Sequence, residues 1–329
     1  MPKILYIMGR GRSGSTILDN VLGQMDGYFS LGQINDFWSK LLMRRLCGCG
    51  AEIGDCEIWR NALAAAHDDD ALRGLDPRQI IQWQKEAVTQ QGILRLLHAR
   101  PGRPTGSEEL DAYLRLLARL YTAVARLTQA RVLVDSSKAA SHGALLRLLP
   151  DITPYFVHLI RDPRAVAYSR RRHKIGPEGE MPRFGPVRST HAWLRQNVKA
   201  HLVNLRVPAN RTLRIRYEDF VARPLPTLQA ITELLGDPPP PKGFVDGGSV
   251  RLGPNHTVGG NPSRFQTGTI ELRSDEEWRR GQARRDRLVA TALSWPMLLL
   301  YGYPLLPHPA TTGQPGGICR SPRSSKDGS

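Results

Sequence analysis

The sequence predicts an α/β protein: one three-layer domain around a central parallel sheet of about five strands, carrying a helical cap insertion. Three observations lead there. Short apolar runs bounded by turn residues recur at 3–8, about 28–31, 131–135, 154–160 and 211–216, as buried strands do. The first, third and fourth are followed directly by helical patterns at 16–25, 139–149 and 163–173, and strand, turn and helix in that order describe a parallel sheet with crossover helices. Residues 57–130 are helical in pattern throughout, with Leu94 and Leu97, then Leu114, Leu117, Leu120, Tyr121 and Val124, at helix spacing. That stretch reads as an inserted cap, because it lies between sheet strands.

The rest of the chain completes the domain. Helices are expected over 189–206 and 225–235, and the Pro- and Gly-rich segment 236–260 reads as a long loop of the kind that is usually functional. From about Pro307 the composition turns to Pro, Gly, Ser and Arg, so 1–305 is expected to be a single domain and 306–329 a disordered basic tail. A chain of 329 residues with 40% hydrophobic and 23% charged residues has enough apolar material for a packed core. The net charge of +16 favours anionic partners, but an arginine-rich coding bias produces the same excess, so charge alone names none. No nucleic-acid motif accompanies the charge, and a nucleic-acid partner is not expected.

The run 3–8 is too short for a signal peptide core, and 297–301 is equally short between Pro296 and Pro304. A cytoplasmic protein without an integral membrane segment is the expectation. Four cysteines are too few for a disulfide scaffold at this length. Cys47, Cys49 and Cys56 invite a zinc reading but are one ligand short, with His67 a fourth only by chance; reduced cysteines in a tight turn, and no metal, are expected.

The strongest local signal is Gly9-Arg10-Gly11-Arg12-Ser13-Gly14-Ser15-Thr16, between the first strand and the first helix. Glycines let the backbone turn tightly and present successive N–H groups, and the helix start adds partial positive charge, so the loop is a cradle for a phosphate-like anion. It is P-loop-like, yet Ser15 stands where a nucleoside-triphosphate enzyme carries lysine, and the charge sits on Arg12 instead. A second anion site follows the strand 154–160. Arg161 ends that strand, Asp162 and Pro163 suit a helix start, and Ser169 lies further along the helix, so a guanidinium and a hydroxyl can meet one phosphate. The plain alternative is a solvated basic helix face. Trp193 and Asn197, a turn apart, are core residues or cleft residues, with core the expectation.

Together, Arg12-Ser13-Gly14-Ser15-Thr16 and the run from Leu159 through Arg161-Asp162-Pro163-Arg164 to Ser169 resemble the two signatures with which sulfotransferases bind 3′-phosphoadenosine 5′-phosphosulfate (PAPS). The nearest branch is a broad bacterial one, similar also to the tyrosylprotein and carbohydrate enzymes. Cys47 to Gly50 with Cys56 and Trp59, Val134 to Lys138, Arg216 to Phe220 and Gly260 to Phe265 match in the same order. The resemblance implies that Arg10, Gly11, Arg12 and the N–H groups of Ser13, Gly14, Ser15 and Thr16 hold the 5′-phosphosulfate. It implies that Arg161 and Ser169 hold the 3′-phosphate, and that the loop around Arg264 and Phe265 closes over the nucleotide. It also implies sulfuryl transfer to an acceptor hydroxyl or amine, on a small molecule, lipid, glycan or peptide. Such an in-line displacement needs a cation on the transferring group; Arg12 is the candidate and Lys138 a second, with a surface lysine at a helix start its plain alternative.

One position departs from the pattern. Where the family usually places a carboxylate after a glycine, this chain reads Gly32-Gln33, and a glutamine hydrogen-bonds but takes up no proton at neutral pH. Asp36, His256 or Asp135 serve instead, the acceptor is acidic enough to need little help, or catalysis is impaired. Kinase-like nucleotide chemistry and a non-catalytic PAPS-binding module are the competing functions.

Overall fold

The computed structural model describes residues 2–67, 76–87, 90–173, 175–176 and 179–306; the expected tail lies outside them. Five parallel strands form the central sheet: β1 (Lys3–Gly9), β2 (Tyr28–Gly32), β3 (Val132–Lys138), β4 (Thr153–Ile160) and β5 (Thr212–Arg216). Their spatial order is β2-β3-β1-β4-β5, with β1 central and flanked by β3 and β4. The chain leaves β1 toward one edge of the sheet and later crosses over it toward the other. In open α/β sheets, ligands bind outside the carboxyl end of a strand at such a reversal.

β1 shows why the sheet is internal. Ile4, Tyr6 and Met8 enter one core cluster and Leu5 and Ile7 the other, so alternate side chains are buried on both faces. The second face is covered by α1 (Ser15–Leu22), through Leu18, Val21 and Leu22, with Leu228 and Ile231 further along the same layer. The first face is covered by helices that lie between β2 and β3 in the chain. Here α2 (Phe37–Leu42) is followed by α3 (Glu57–Ala66), α4 (Pro77–Ala87), α5 (Gln90–His98) and α6 (Glu108–Thr128). The last of these is the longest, and Ser107 caps it by accepting from the Leu110 N–H. Next in the chain come α7 (Ala140–Leu146), packed on the same face, and α8 (Pro163–Arg171).

The remaining elements are α9 (Pro186–Asn204), α10 (Tyr217–Ala222), α11 (Pro224–Leu235), α12 (Glu277–Gly281) and α13 (Arg284–Leu300). A third apolar cluster of Ile160, Val166, Trp193, Leu298 and Tyr301 joins β4, α8, α9 and α13. Two sequence expectations need correction. The segment 236–260 is not loop throughout: β6 (Ser249–Leu252) pairs antiparallel with β7 (Gly268–Glu271). Pro296 does not bound the run 297–301 either, because it lies inside α13, which continues past it to Leu300 at the cost of one backbone bond. Among the described residues, no helix is long and apolar enough to cross a membrane.

Candidate active site

The phosphate loop turns from β1 into α1 as its glycines require. Gly14 has φ 83°, and a Cβ there would overlap the Tyr217 ring, so the position excludes any other residue both sterically and conformationally. Arg12 adopts φ 76° and Lys138, at the end of β3, φ 69°. Left-handed backbone costs a non-glycine residue about 1–3 kcal/mol, and such strain collects at functional sites. Both candidate cations of the transfer step sit on it.

The two anion motifs meet. Arg161 NH1 donates to the carbonyl of Arg12 at 3.0 Å, joining the end of β4 to the phosphate loop. A Cβ at Gly11 would come within 2.7 Å of the Arg170 guanidinium, so the first turn of the loop faces the basic end of α8. Burial lowers the pKa of Arg12, with Arg172 and Arg161 adding to the effect. Arg170 is pulled down to about 10, by burial first and then by Arg10 and Arg12. Arg10 is lowered by burial and by Arg195. Guanidiniums that repel one another in this way create a field that attracts anions.

Their hydrogen bonding agrees. Nε and NH1 of Arg12 are buried with no hydrogen-bond partner among the described residues, as are Ser13 Oγ and the Nε atoms of Arg161, Arg170 and Arg172. Among the described residues, the other terminal nitrogen of Arg12 meets the Met181 sulfur, at 3.0 Å. Arg161 is further braced by Asp275, by the Tyr217 ring 4.5 Å beneath its guanidinium, and by the Trp193 indole N–H, which donates to its carbonyl at 3.0 Å. Trp193 and Asn197 are thus core residues, as expected, and Asn197 pairs with His158 at 2.8 Å. Asp162 caps α8 by accepting from the Arg164 N–H, also as expected. Ser169 is buried on α8.

Gln33 and Lys138 come together. With the Gln33 amide turned so that its oxygen faces the donors, Oε1 accepts from Lys138 Nζ at 2.9 Å and from the Gly260 N–H at 2.8 Å. Lys138 Nζ also donates to the Ser136 carbonyl. Burial pulls the pKa of Lys138 down to about 8, opposed by the carboxylates of Asp36, Asp19 and Asp135. The segment carrying Gly260 is stitched to the phosphate loop by the Asn261 N–H, which donates to Thr16 Oγ1 at 3.1 Å, and to Gln33 through its own N–H and Val258 O at 2.6 Å. Arg264 is buried within that segment over the Phe265 ring and donates to the carbonyls of Thr257 and Leu46. Those bonds hold the loop's shape; Gly260 and Asn261 are the groups that reach the phosphate loop.

Two of the three candidate bases are occupied elsewhere. Asp135 is fully buried and accepts from Tyr121 OH and Ser137 Oγ, each at 2.5 Å, and from the Ser137 N–H. His256 presents Nδ1 to the Cys56 sulfur at 3.3 Å. Asp36 accepts from the side-chain amide of its neighbour Asn35 at 3.1 Å and leads the carboxylates acting on Lys138. Sequence reasoning missed the basic contribution of Arg170 and Arg172 and the Met181 contact. A pocket of about 670 Å³ lies at the start of α9, lined by Pro186, Val187, Arg188, His191, Ala192 and Arg195.

A family model described as the sulfotransferase family matches residues 2–240. The chain belongs to that family. It is accordingly a sulfotransferase enzyme. Among solved structures, it is similar to a sulfotransferase domain from the curacin biosynthetic pathway, at 16% identity and a TM-score of 0.52, covering 93% of this chain and 99% of that one. It is also similar to a sulfotransferase domain from the olefin synthase of Synechococcus PCC 7002, at 21% identity and a TM-score of 0.50, covering 93% and 96%. At these identities the two relatives speak to the fold, the P-loop-like α/β architecture that this sulfotransferase shares. No curated protein matches the chain.

Proposed function

We propose that this sulfotransferase takes its sulfuryl group from PAPS and passes it to a hydroxyl or amine of a small-molecule, lipid or glycan acceptor, releasing PAP. One observation carries the reading: Nε and Nη1 of Arg12 are buried with no partner among the described residues, amid other guanidiniums at the mouth of a glycine loop. A donor with anionic groups at both ends of its nucleoside suits two adjoining cationic clusters. In this reading Arg10 to Thr16 hold the 5′-phosphosulfate, and Arg161 and Ser169 the 3′-phosphate. Arg264 and Phe265 shape the loop that covers it.

In the transfer, the acceptor oxygen or nitrogen forms a bond to sulfur as the bond between sulfur and the 5′-phosphate oxygen breaks. Charge gathers on the leaving and equatorial oxygens, where fixed cations stabilise it most. Arg12 supplies one such cation and Lys138 the second, positioned by Gln33. The acceptor proton goes to Asp36, the half-buried candidate carboxylate beside Lys138. The cationic pocket at the start of α9 adjoins this centre through Arg195 and Arg10, and serves as the acceptor's entry. The reading treats residues 1–305 as one cytoplasmic catalytic domain with 57–130 as its cap.

A second reading, PAPS binding without turnover, draws on Gln33 alone. Mass spectrometry of small-molecule, glycan and lipid fractions incubated with enzyme and PAPS separates the two. Transfer adds a sulfuryl group of about 80 Da to an acceptor in an Arg12-dependent manner. Uptake of PAP with no sulfated product in any fraction favours the second.

A further inference from the structure

We infer that the chain carries a structural zinc site formed by Cys47, Cys49, Cys56 and His256. The three cysteines are one ligand short in sequence, and the structure does not complete them with His67, whose Nδ1 is engaged with the Leu63 carbonyl at 2.8 Å. It brings in His256 from some 200 positions away. The three sulfurs and one ring nitrogen all lie within 4.8 Å of one another, with Nδ1 of His256 at 3.3 Å from Cys56 Sγ and 4.0 Å from Cys47 Sγ. A tetrahedral zinc ion with bonds of ~2.3 Å to sulfur and ~2.05 Å to nitrogen needs donor separations of about 3.5–3.8 Å. The cluster brackets that spacing, so modest side-chain adjustment closes it around an ion.

The donor set points to the metal. Three thiolates and an imidazole are soft and borderline ligands, which select zinc over magnesium or calcium. Four protein donors leave no open position, so the ion is structural rather than catalytic. Cys47 and Cys56 are free and buried, and Cys49 is exposed at the tip of the turn. The turn carrying the cysteines is held by its own backbone: Cys47 N–H donates to the Ala51 carbonyl at 2.7 Å, Gly50 N–H to the Cys47 carbonyl at 2.9 Å and Cys56 N–H to the Glu52 carbonyl at 2.9 Å. The ligand from the distant segment is fixed as well: the Trp59 indole donates to the His256 carbonyl at 2.8 Å, and the imidazole stacks on Phe29.

The site joins two segments that the covalent chain leaves far apart. Gly48 N–H donates to the Thr257 carbonyl at 3.0 Å, Cys47 bridges to Val258, and Arg264 ties Leu46 to Thr257. An ion at this seam fixes the segment that, four and five residues beyond His256, presents Gly260 and Asn261 to Gln33 and Thr16. Binding releases the three thiol protons and leaves a complex of one net negative charge.

The test uses the full chain purified under a thiol reductant without chelator. Elemental analysis is expected to find about one zinc per chain, and thiol titration to show three cysteines that become reactive only when a strong chelator is added. Cobalt loaded into the chelated chain is expected to give the visible bands of a tetrahedral thiolate complex. Cys49→Ser changes only the exposed ligand and is expected to fold as wild type while losing zinc to a chelator concentration that leaves the wild type loaded. The inference is overturned by a folded wild-type chain that neither retains zinc from supplemented culture nor gives the tetrahedral cobalt spectrum. Thiols equally reactive with and without chelator, or a Cys47–Cys56 disulfide in the peptide map, overturn it equally.

Discussion

Replacing Arg12 by methionine separates a guanidinium that binds from one that holds the fold. Methionine keeps much of the aliphatic stem and removes the charge. In the free protein this costs little, because the terminal nitrogen toward Met181 makes only a weak bond and Nε and NH1 make none among the described residues. Arg161 and Arg172 both lower the pKa of Arg12, so its removal also relieves repulsion. Thermal unfolding of the free variant is therefore expected within about 2 °C of wild type, or above it. Donor binding moves the other way. Two charge-assisted hydrogen bonds at about 1.5–3 kcal/mol each amount to about 3–6 kcal/mol. That corresponds to a loss of about 10²–10⁴ in PAPS affinity. Calorimetric titration with PAPS or PAP, beside thermal scans with and without ligand, reads both quantities. A variant that binds as wild type, or whose free form is destabilised by several degrees, refutes the reasoning.

Other expectations concern the neighbours of Arg12. Gly14→Ala meets both φ 83° and the Tyr217 ring, so PAP-induced thermal stabilisation should fall with the loss of the ring that supports Arg161; an unchanged ligand-induced shift counts against the cradle. Lys138 titrates near 8 when folded, below its ordinary 10.5, so the unfolded chain binds the extra proton between those values and stability contributed by this group rises with pH across that window. Denaturant titrations at pH 8, 9 and 10 should show Lys138→Met losing that rise relative to wild type; parallel pH profiles exclude it. Gln33→Glu places a carboxylate against Lys138 and Gly260, and is expected to raise turnover at saturating PAPS. An unchanged rate leaves proton transfer with Asp36 and confines position 33 to holding Lys138.

The strands and the phosphate loop were legible because their signals are local. Ile4 to Met8 is an unbroken apolar run, and every one of its residues is buried. Asp162 and Pro163 announce the start of α8 by side-chain and ring chemistry that needs no partner elsewhere. The failures are all matters of distance or context. The strand Ser249–Leu252 is four residues long in a glycine-rich stretch, and only its partner at 268–271 makes it a strand. Pro296 reads as a stop, yet burial of Leu298 and Tyr301 with Trp193 carries the helix through it. Nothing in the sequence marks the carbonyls of Thr257 and Leu46 as partners of Arg264, because those bonds form only once distant segments pack together. His256 carries no mark that assigns it to cysteines two hundred positions earlier.

Two adjoining cationic clusters are proposed to read both ends of one nucleotide. Titration of PAP against 5′-AMP in magnesium-free buffer tests this most directly, since the two ligands differ only in the 3′-phosphate assigned to Arg161 and Ser169. PAP is predicted to bind at least about tenfold more tightly, a margin of about 1.4 kcal/mol that a single buried charge-assisted contact supplies. Equal affinities, or binding that appears only for ATP with magnesium, contradict it.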